Sequence, residues 1–318
     1  MPSVREIKRR IRSVKNIQQI TMALEAVSAS KVRRATAQAL SARAYADLAI
    51  RVMGHITQAS PPNTPLHPLL ARRENVGTVT VALITSDRGL SGAYNTNVFR
   101  VARRFAERIG RPVRWVAVGR KGRDLLVRSR EKVVAEFTEL PAWWSIDRVR
   151  PIARLLNEEF MNGYSDEVYV AYTEFINTLT QQPRVQPVLP IVPEQEADLI
   201  HLDYMKIRRE EAKNLGDYIF EPSAAAILEE IVPKFNENIV FELLLESAAS
   251  EHSARMVAMR NASENAKALS SDLQLSYNKA RQAAITAEIL DIVGGVEAMR
   301  GVKPQSQPKA EPVKLESN

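Results

Sequence analysis

The chain contains no cysteine, and only 6% of its 318 residues are aromatic. Zero cysteine excludes a disulfide framework, a thiolate nucleophile, a zinc–cysteine site and thiol redox switching together, and it fits an intracellular, cytoplasm-facing location. Scarce aromatics and abundant alanine at both ends suit long, slim helices better than a thick globule. No apolar run reaches the roughly 18 residues that a membrane span requires. The opening MPSVREIKRR enters a helical pattern directly, without the apolar core of a signal peptide or the acid-poor preamble of a transit peptide. The expectation is a soluble chain, or one held to a membrane through others. A hydrophobic content of 45% excludes wholesale disorder. Lys+Arg 44 against Asp+Glu 37 leaves a net charge of +7, compatible with nucleic acid, an anionic surface or an acidic protein partner.

Glycine and proline are absent over long stretches, and this sets the organisation. Between Pro2 and Gly54 there is neither, and Val4, Ile7, Ile11, Val14, Ile17, Ile20, Leu24 and Val27 recur at three or four residues. Such a narrow apolar seam predicts one unbroken helix of the coiled-coil kind, roughly 75 Å long. The segment SPPNTPLHP, from Ser60 to Pro68, must then be a loop. Short β-branched runs at 78–85, 113–118, 133–137 and 167–175 alternate with helical stretches at 98–109, 124–130 and 147–161, which predicts an α/β domain with a largely parallel sheet. Gln186 to Pro193 holds three prolines and reads as an edge strand or extended connector, while Asp198 to Asp217 is polar and unassigned. Ser223 is the expected N-cap of a second long helix, with Gly294-Gly295 as its cap. Met256, Met259, Ala262, Ala266, Leu269, Leu273, Tyr277, Ala280 and Ala284 form its seam. Residues 301 to 318, rich in Pro, Lys and Ser, read as a disordered tail.

The expected fold is therefore α/β plus a long antiparallel α-helical coiled coil, with a Rossmann-like α/β domain inserted between the paired terminal helices. Its parts are 1–57 (first helix), 58–75 (Pro-rich linker), 76–220 (α/β foot domain), 221–299 (second helix) and 300–318 (tail). The seam is assigned to Ile7, Ile11, Val14, Ile20, Leu24, Met256, Leu269 and Leu273.

Chemistry is hard to find. Ser86-Asp87-Arg88-Gly89-Leu90-Ser91-Gly92 follows a strand, where α/β folds cradle phosphates, but fits neither glycine-rich phosphate motif and reads as a tight turn. His55, His67, His201 and His252 lack metal-ligand spacing, and Glu158-Glu159, Glu210-Glu211 and Glu229-Glu230 read as solvated helix faces. No active site, cofactor or metal is expected. The first 51 residues carry eleven basic side chains and three acidic ones, so a basic coiled coil on nucleic acid is the rival reading. Tyr45 is the only aromatic there, against the interleaving that base stacking needs.

Three blocks in order carry a resemblance: Ile7-Lys8-Arg9-Arg10-Ile11 with Ser13 to Thr21 and Ala29-Ser30-Lys31; Thr85 to Gly92 with Asn95-Thr96-Asn97; and Ala249 to Met259 with Tyr277 to Thr286. In these the chain resembles the gamma subunits of F1 ATP synthases over nearly its whole length. The resemblance implies a central rotor shaft, without catalytic residues, that transmits rotation of an ion-driven membrane ring to an alpha/beta hexamer. The partners implied are the alpha, beta and epsilon subunits and the membrane c-ring, with one copy per complex and no nucleic acid. The location implied is peripheral, on the cytoplasmic side of the cell inner membrane. Positions matching the family's contacts to beta are Arg255, Gln282, Thr286 and Asp291. Departures are Leu24 and Ala26 where many relatives have Met, Tyr94 where a smaller or aliphatic residue is usual, and no chloroplast-type cysteine insertion.

Overall fold

The computed structural model of the chain describes residues 3–58, 67–141, 143–191 and 223–301, with side chains at all of these except 39–58, 224–225 and 297–301. Most of the proline loop, the stretch 198–217 and the expected tail beyond Gly301 lie outside the described residues. The chain divides into two compact units, residues 1–20 with 263–318, and residues 21–262.

Two long helices contribute to both units. Helix α1 spans Val4–Gln58, and Ser3 opens it by accepting the Glu6 N–H on its hydroxyl at 3.2 Å. Helix α5 spans Ala224–Gly301. Ser223 caps it as expected, with Ala226 N donating to Ser223 Oγ at 3.2 Å. Gly294-Gly295 does not end it. Each glycine costs about 1 kcal/mol in a helix interior, but extending an existing helix needs no new nucleus, and no proline follows before Pro304.

The inward faces of these helices differ from the expected seam. On α1, Ile7, Ile11, Thr21, Ser28, Val32 and Ala35 are buried, with Val14, Gln18, Leu24 and Glu25 half-buried. Positions 7, 11, 14, 18, 21, 25, 28, 32 and 35 alternate steps of four and three, a pattern that keeps one face of a helix inward. Ile20, assigned to the seam, is 60% exposed. The reason is rotational: steps of three from Val14 to Ile17 to Ile20 turn the position about 120° off the face. On α5, Ser263, Ala266 and Ser270 are buried and Leu273, Tyr277 and Ala280 half-buried, so Ser270 takes the inward place while Leu269 is 50% exposed. Met256 is half-buried. Small residues hold several of the inward positions, so hydrophobicity alone misplaces the seam by one residue.

The larger unit holds a five-stranded sheet in the order β3-β2-β1-β4-β5. Its strands are β1 (Val79–Ile84), β2 (Val113–Val118), β3 (Val133–Phe137), β4 (Glu167–Phe175) and β5 (Gln181–Leu189). The first four run parallel and β5 pairs antiparallel to β4 at the edge. Pro183 and Pro187 are tolerated in β5 because an edge strand has one side without a ladder. All six residues of β1 are buried, as expected of a parallel strand covered on both faces. On one face Ala82, Ile84, Val116, Val118, Val168, Val170 and Tyr172 pack with α4 (Ile146–Met161) and the first part of α5. On the other, Val79, Val81, Leu83, Trp115 and Ala117 pack with α2 (Tyr94–Ile109) and α3 (Arg120–Arg128).

Glu159 corrects another expectation. It is buried, not solvated, and its carboxylate accepts Arg114 Nε at 2.7 Å and Nη2 at 2.9 Å, with Thr80 Oγ1 at 3.2 Å. A carboxylate in a dry setting needs such a forked cation. Glu158, Glu229 and Glu230 are exposed as expected.

Candidate partner interface

The turn after β1 is closed by its own side chains. Asn95 Oδ1 accepts the Ser86 N–H at 2.9 Å, and Asn95 Nδ2 donates to Ser86 Oγ at 2.8 Å. Asp87 accepts the Arg120 N–H at 2.8 Å and the Leu140 N–H at 2.5 Å, while Thr85 Oγ1 accepts the Gly122 N–H at 2.7 Å. An internal carboxylate and hydroxyl thus occupy the N-terminal donors of α3, where a phosphate would otherwise be held. Gly119 permits the fit, because a Cβ there would stand 2.3 Å from the Thr85 carbonyl oxygen. At the tip, Leu90 adopts φ 65 and is 64% exposed. A left-handed, solvent-facing leucine is strained backbone holding an apolar group outward, an arrangement found at contact sites.

Arg255 stands behind that turn. Its Nη2 meets Glu251 Oε1 at 2.6 Å, and Nε and Nη2 both reach the Gly89 carbonyl at 3.4 Å. Nη1 lies 3.3 Å from His252 Nδ1. Burial raises the Glu251 carboxyl pKa even against the pull of Arg255. Burial, then Arg255 and Lys31, lowers the His252 imidazole to about 4, so His252 is neutral and accepts from the guanidinium. The structure therefore engages Arg255 within the chain as a brace of the β1–α2 turn. Glu251 lies at i,i+4 from Arg255, a spacing visible in sequence, but Gly89 is 166 residues away and only folding brings it near.

Gln282 and Thr286 lie together on a different stretch, about 40° apart around the helix, while Asp291 on the same stretch lies on nearly the opposite side. Every residue from Arg281 to Val296 is exposed. Thr286 Oγ1 donates back to the Gln282 carbonyl at 3.0 Å, a bond made within the helix. Ile285, Ile289, Ile292, Val293 and Val296 are exposed beside Gln282 and Thr286 and share an arc of about 100°. Single exposed apolar residues need no explanation, whereas a continuous stripe marks a surface made to be covered. Among the described residues no cluster of three metal-ligating side chains occurs, and no helix is long and apolar enough to cross a membrane.

A mixed sheet joined to a long helix whose end carries a bare apolar stripe defines a class of protein that presents a helix to partners. A family model described as ATP synthase matches residues 3–299. The ATP synthase gamma chain of Roseiflexus castenholzii is 45% identical over 302 residues, covering 94% of this chain and 99% of its own. That of Symbiobacterium thermophilum is 42% identical over 296 residues, covering 93% and 98%. Among solved structures, a chain of the Euglena gracilis mitochondrial ATP synthase (OSCP/F1/c-ring, rotational state 3) matches with TM-score 0.63 at 19% identity, covering 96% of this chain and 99% of that one. A chain of the Tetrahymena thermophila mitochondrial ATP synthase central stalk and c-ring matches with TM-score 0.55 at 22% identity, covering 77% and 99%. The chain belongs to the ATP synthase gamma-chain family.

Proposed function

We propose that the chain is the central-stalk rotor of an F-type ATP synthase, which passes rotation of an ion-driven membrane ring to a catalytic alpha/beta hexamer for ATP synthesis or hydrolysis. It supplies differential contact and leaves the chemistry to its partners. Identical catalytic neighbours take up different states only if something asymmetric binds each differently. Its partners are the alpha, beta and epsilon subunits and the c-ring, one copy per complex, peripheral to the cell inner membrane on the cytoplasmic side. The observation that carries this reading is the exposed end of α5 in a chain alike to a gamma chain over 94% of its length.

In this reading α1 and α5 pair antiparallel as a coiled coil, with a Rossmann-like domain between them. The buried stripes with alternating steps of four and three support the pairing. So does the ion pair of Arg260 Nε with Glu25 Oε1 at 2.9 Å in the larger unit. The seam is then Ile7, Ile11, Val14, Leu24, Met256 and Leu273 with the small residues between them, and Gln282, Thr286 and Asp291 meet the beta subunits. Nothing in the family or the fold favours nucleic acid. The test is reconstitution with and without the chain: coupled ATP synthesis is expected only with it, and coupling in its absence refutes the reading.

A further inference from the structure

Strand β4 outruns its neighbour. β1 ends at Ile84 and its register with β4 stops at Ala171, while β4 continues to Phe175. On the other side Thr173 lies opposite Pro183, which has no N–H to offer. The backbone N–H and C=O of Thr173 therefore turn toward the place that β1 has vacated, and buried backbone groups require partners. Serines of α5 supply them. The Thr173 N–H donates to Ser247 Oγ at 3.3 Å, and Ser250 Oγ donates to the Thr173 carbonyl at 3.0 Å. Ser253 Oγ donates to the Thr178 carbonyl in the β4–β5 turn at 2.7 Å. Spaced by three, the serines wind over about 120° of the helix as it crosses the strand ends, and all three are buried. From the opposite side the Tyr94 hydroxyl, at the start of α2, donates to the Ser247 carbonyl at 3.1 Å and lies 3.1 Å from Ser247 Oγ. Burial holds that phenol protonated, far above its ordinary range.

The location matters. β1 and β4 flank the point where the strand order reverses, and in open α/β sheets the crevice at the carboxyl ends there receives the ligand. Here the chain's own helix fills it. Apolar packing is non-directional and tolerates sliding, whereas hydrogen bonds fix one register, because a slip of one turn strands every one of these groups in a dry interior. We propose that Ser247, Ser250 and Ser253, with Tyr94, are positioning residues that lock α5 in axial and rotational register on the strand ends, so that twisting force on the sheet passes into the helix without slip.

This rests on the rotor reading, and the experiment separates the two. The full chain is assembled with its ATPase partners, and a bead attached to the sheet domain reports angular variance during a catalytic dwell. Ser247→Ala with Ser250→Ala and Ser253→Ala is expected to widen that variance about twofold or more, and Tyr94→Phe by less, with ATP hydrolysis remaining near wild type. Thr80→Val, which deletes a buried hydrogen bond between β1 and Glu159 of α4 and touches none of the serine contacts, is expected to lower the unfolding temperature without widening the variance. Wild-type variance in the serine variant overturns the proposal, as does equal widening in Thr80→Val. Should the triple variant fail to fold, Ser250→Ala and Tyr94→Phe decide singly, and unchanged variance in both overturns it. A wild-type chain that assembles with no ATPase partner refutes the rotor reading instead.

Discussion

Arg255 lies between a carboxylate and a carbonyl, and the strength of that position depends on how dry it is. Both it and Glu251 are largely shielded, so removing the guanidinium leaves a buried carboxylate without its counter-ion. Arg255→Ala is expected to lower the unfolding free energy by about 3 kcal/mol in urea, and Arg255→Met with Glu251→Leu to recover most of it. A double variant no more stable than the single one refutes this account. His252 makes a prediction in pH. Its folded value of about 4 lies below the ordinary 6.5, so the unfolded chain takes up a proton first as pH falls. Stability therefore drops between about pH 6.5 and pH 4, by up to about 3 kcal/mol for this group. Glu251, raised by burial, works in the opposite sense: its contribution is full below its unfolded value and fades as pH rises through its folded one. His252→Gln is expected to flatten the acid limb of a stability-against-pH curve, and an unchanged slope counts against the shift.

Elements were more legible than faces. The strands at 113–118, 133–137 and 167–175 stand where their β-branched runs place them, and α1 runs from Val4 because Ser3 offers a cap and no glycine interrupts before Gly54. What apolar spacing misjudged was rotation, since Thr21 and Ser270 turn inward while Ile20 and Leu269 turn outward. Ile11→Ala is accordingly expected to destabilise the isolated chain by about 2–3 kcal/mol, and Ile20→Ser to change it by less than about 0.5 kcal/mol. Thermal unfolding of the two variants side by side checks this, and equal losses refute the assignment. The Asp87 cap was likewise hidden: in sequence it belongs to a plain turn, and only its meeting with Arg120 and Leu140 shows that the place of a phosphate is already taken.

At the scale of the whole molecule, function depends on surfaces that the chain leaves bare. Gln282 and Thr286 sit on an exposed helix where side-chain truncation disturbs no packing. Gln282→Ala with Thr286→Ala is expected to leave stability within about 0.5 kcal/mol and helical circular dichroism unchanged, yet to reduce ATP hydrolysis of the assembled complex several-fold. Wild-type turnover in a stably assembled variant removes these residues from the contact. Among the described residues the stripe of Ile285, Ile289, Ile292, Val293 and Val296 is bare, and in the proposed assembly a partner covers it.

The sequence by itself determined the kinds of elements, their order, the two glycine-poor helices and the family, because local propensity, periodicity and three ordered motif blocks are all written along the chain. Tertiary structure alone decided which side of each long helix faces inward, that Glu159 is paired and buried, that Arg255 grips Gly89, and that three serines stand in for a missing strand. Those outcomes join groups tens to hundreds of residues apart, and a side chain's role there depends on which backbone donors, acceptors and charges the fold leaves unanswered beside it.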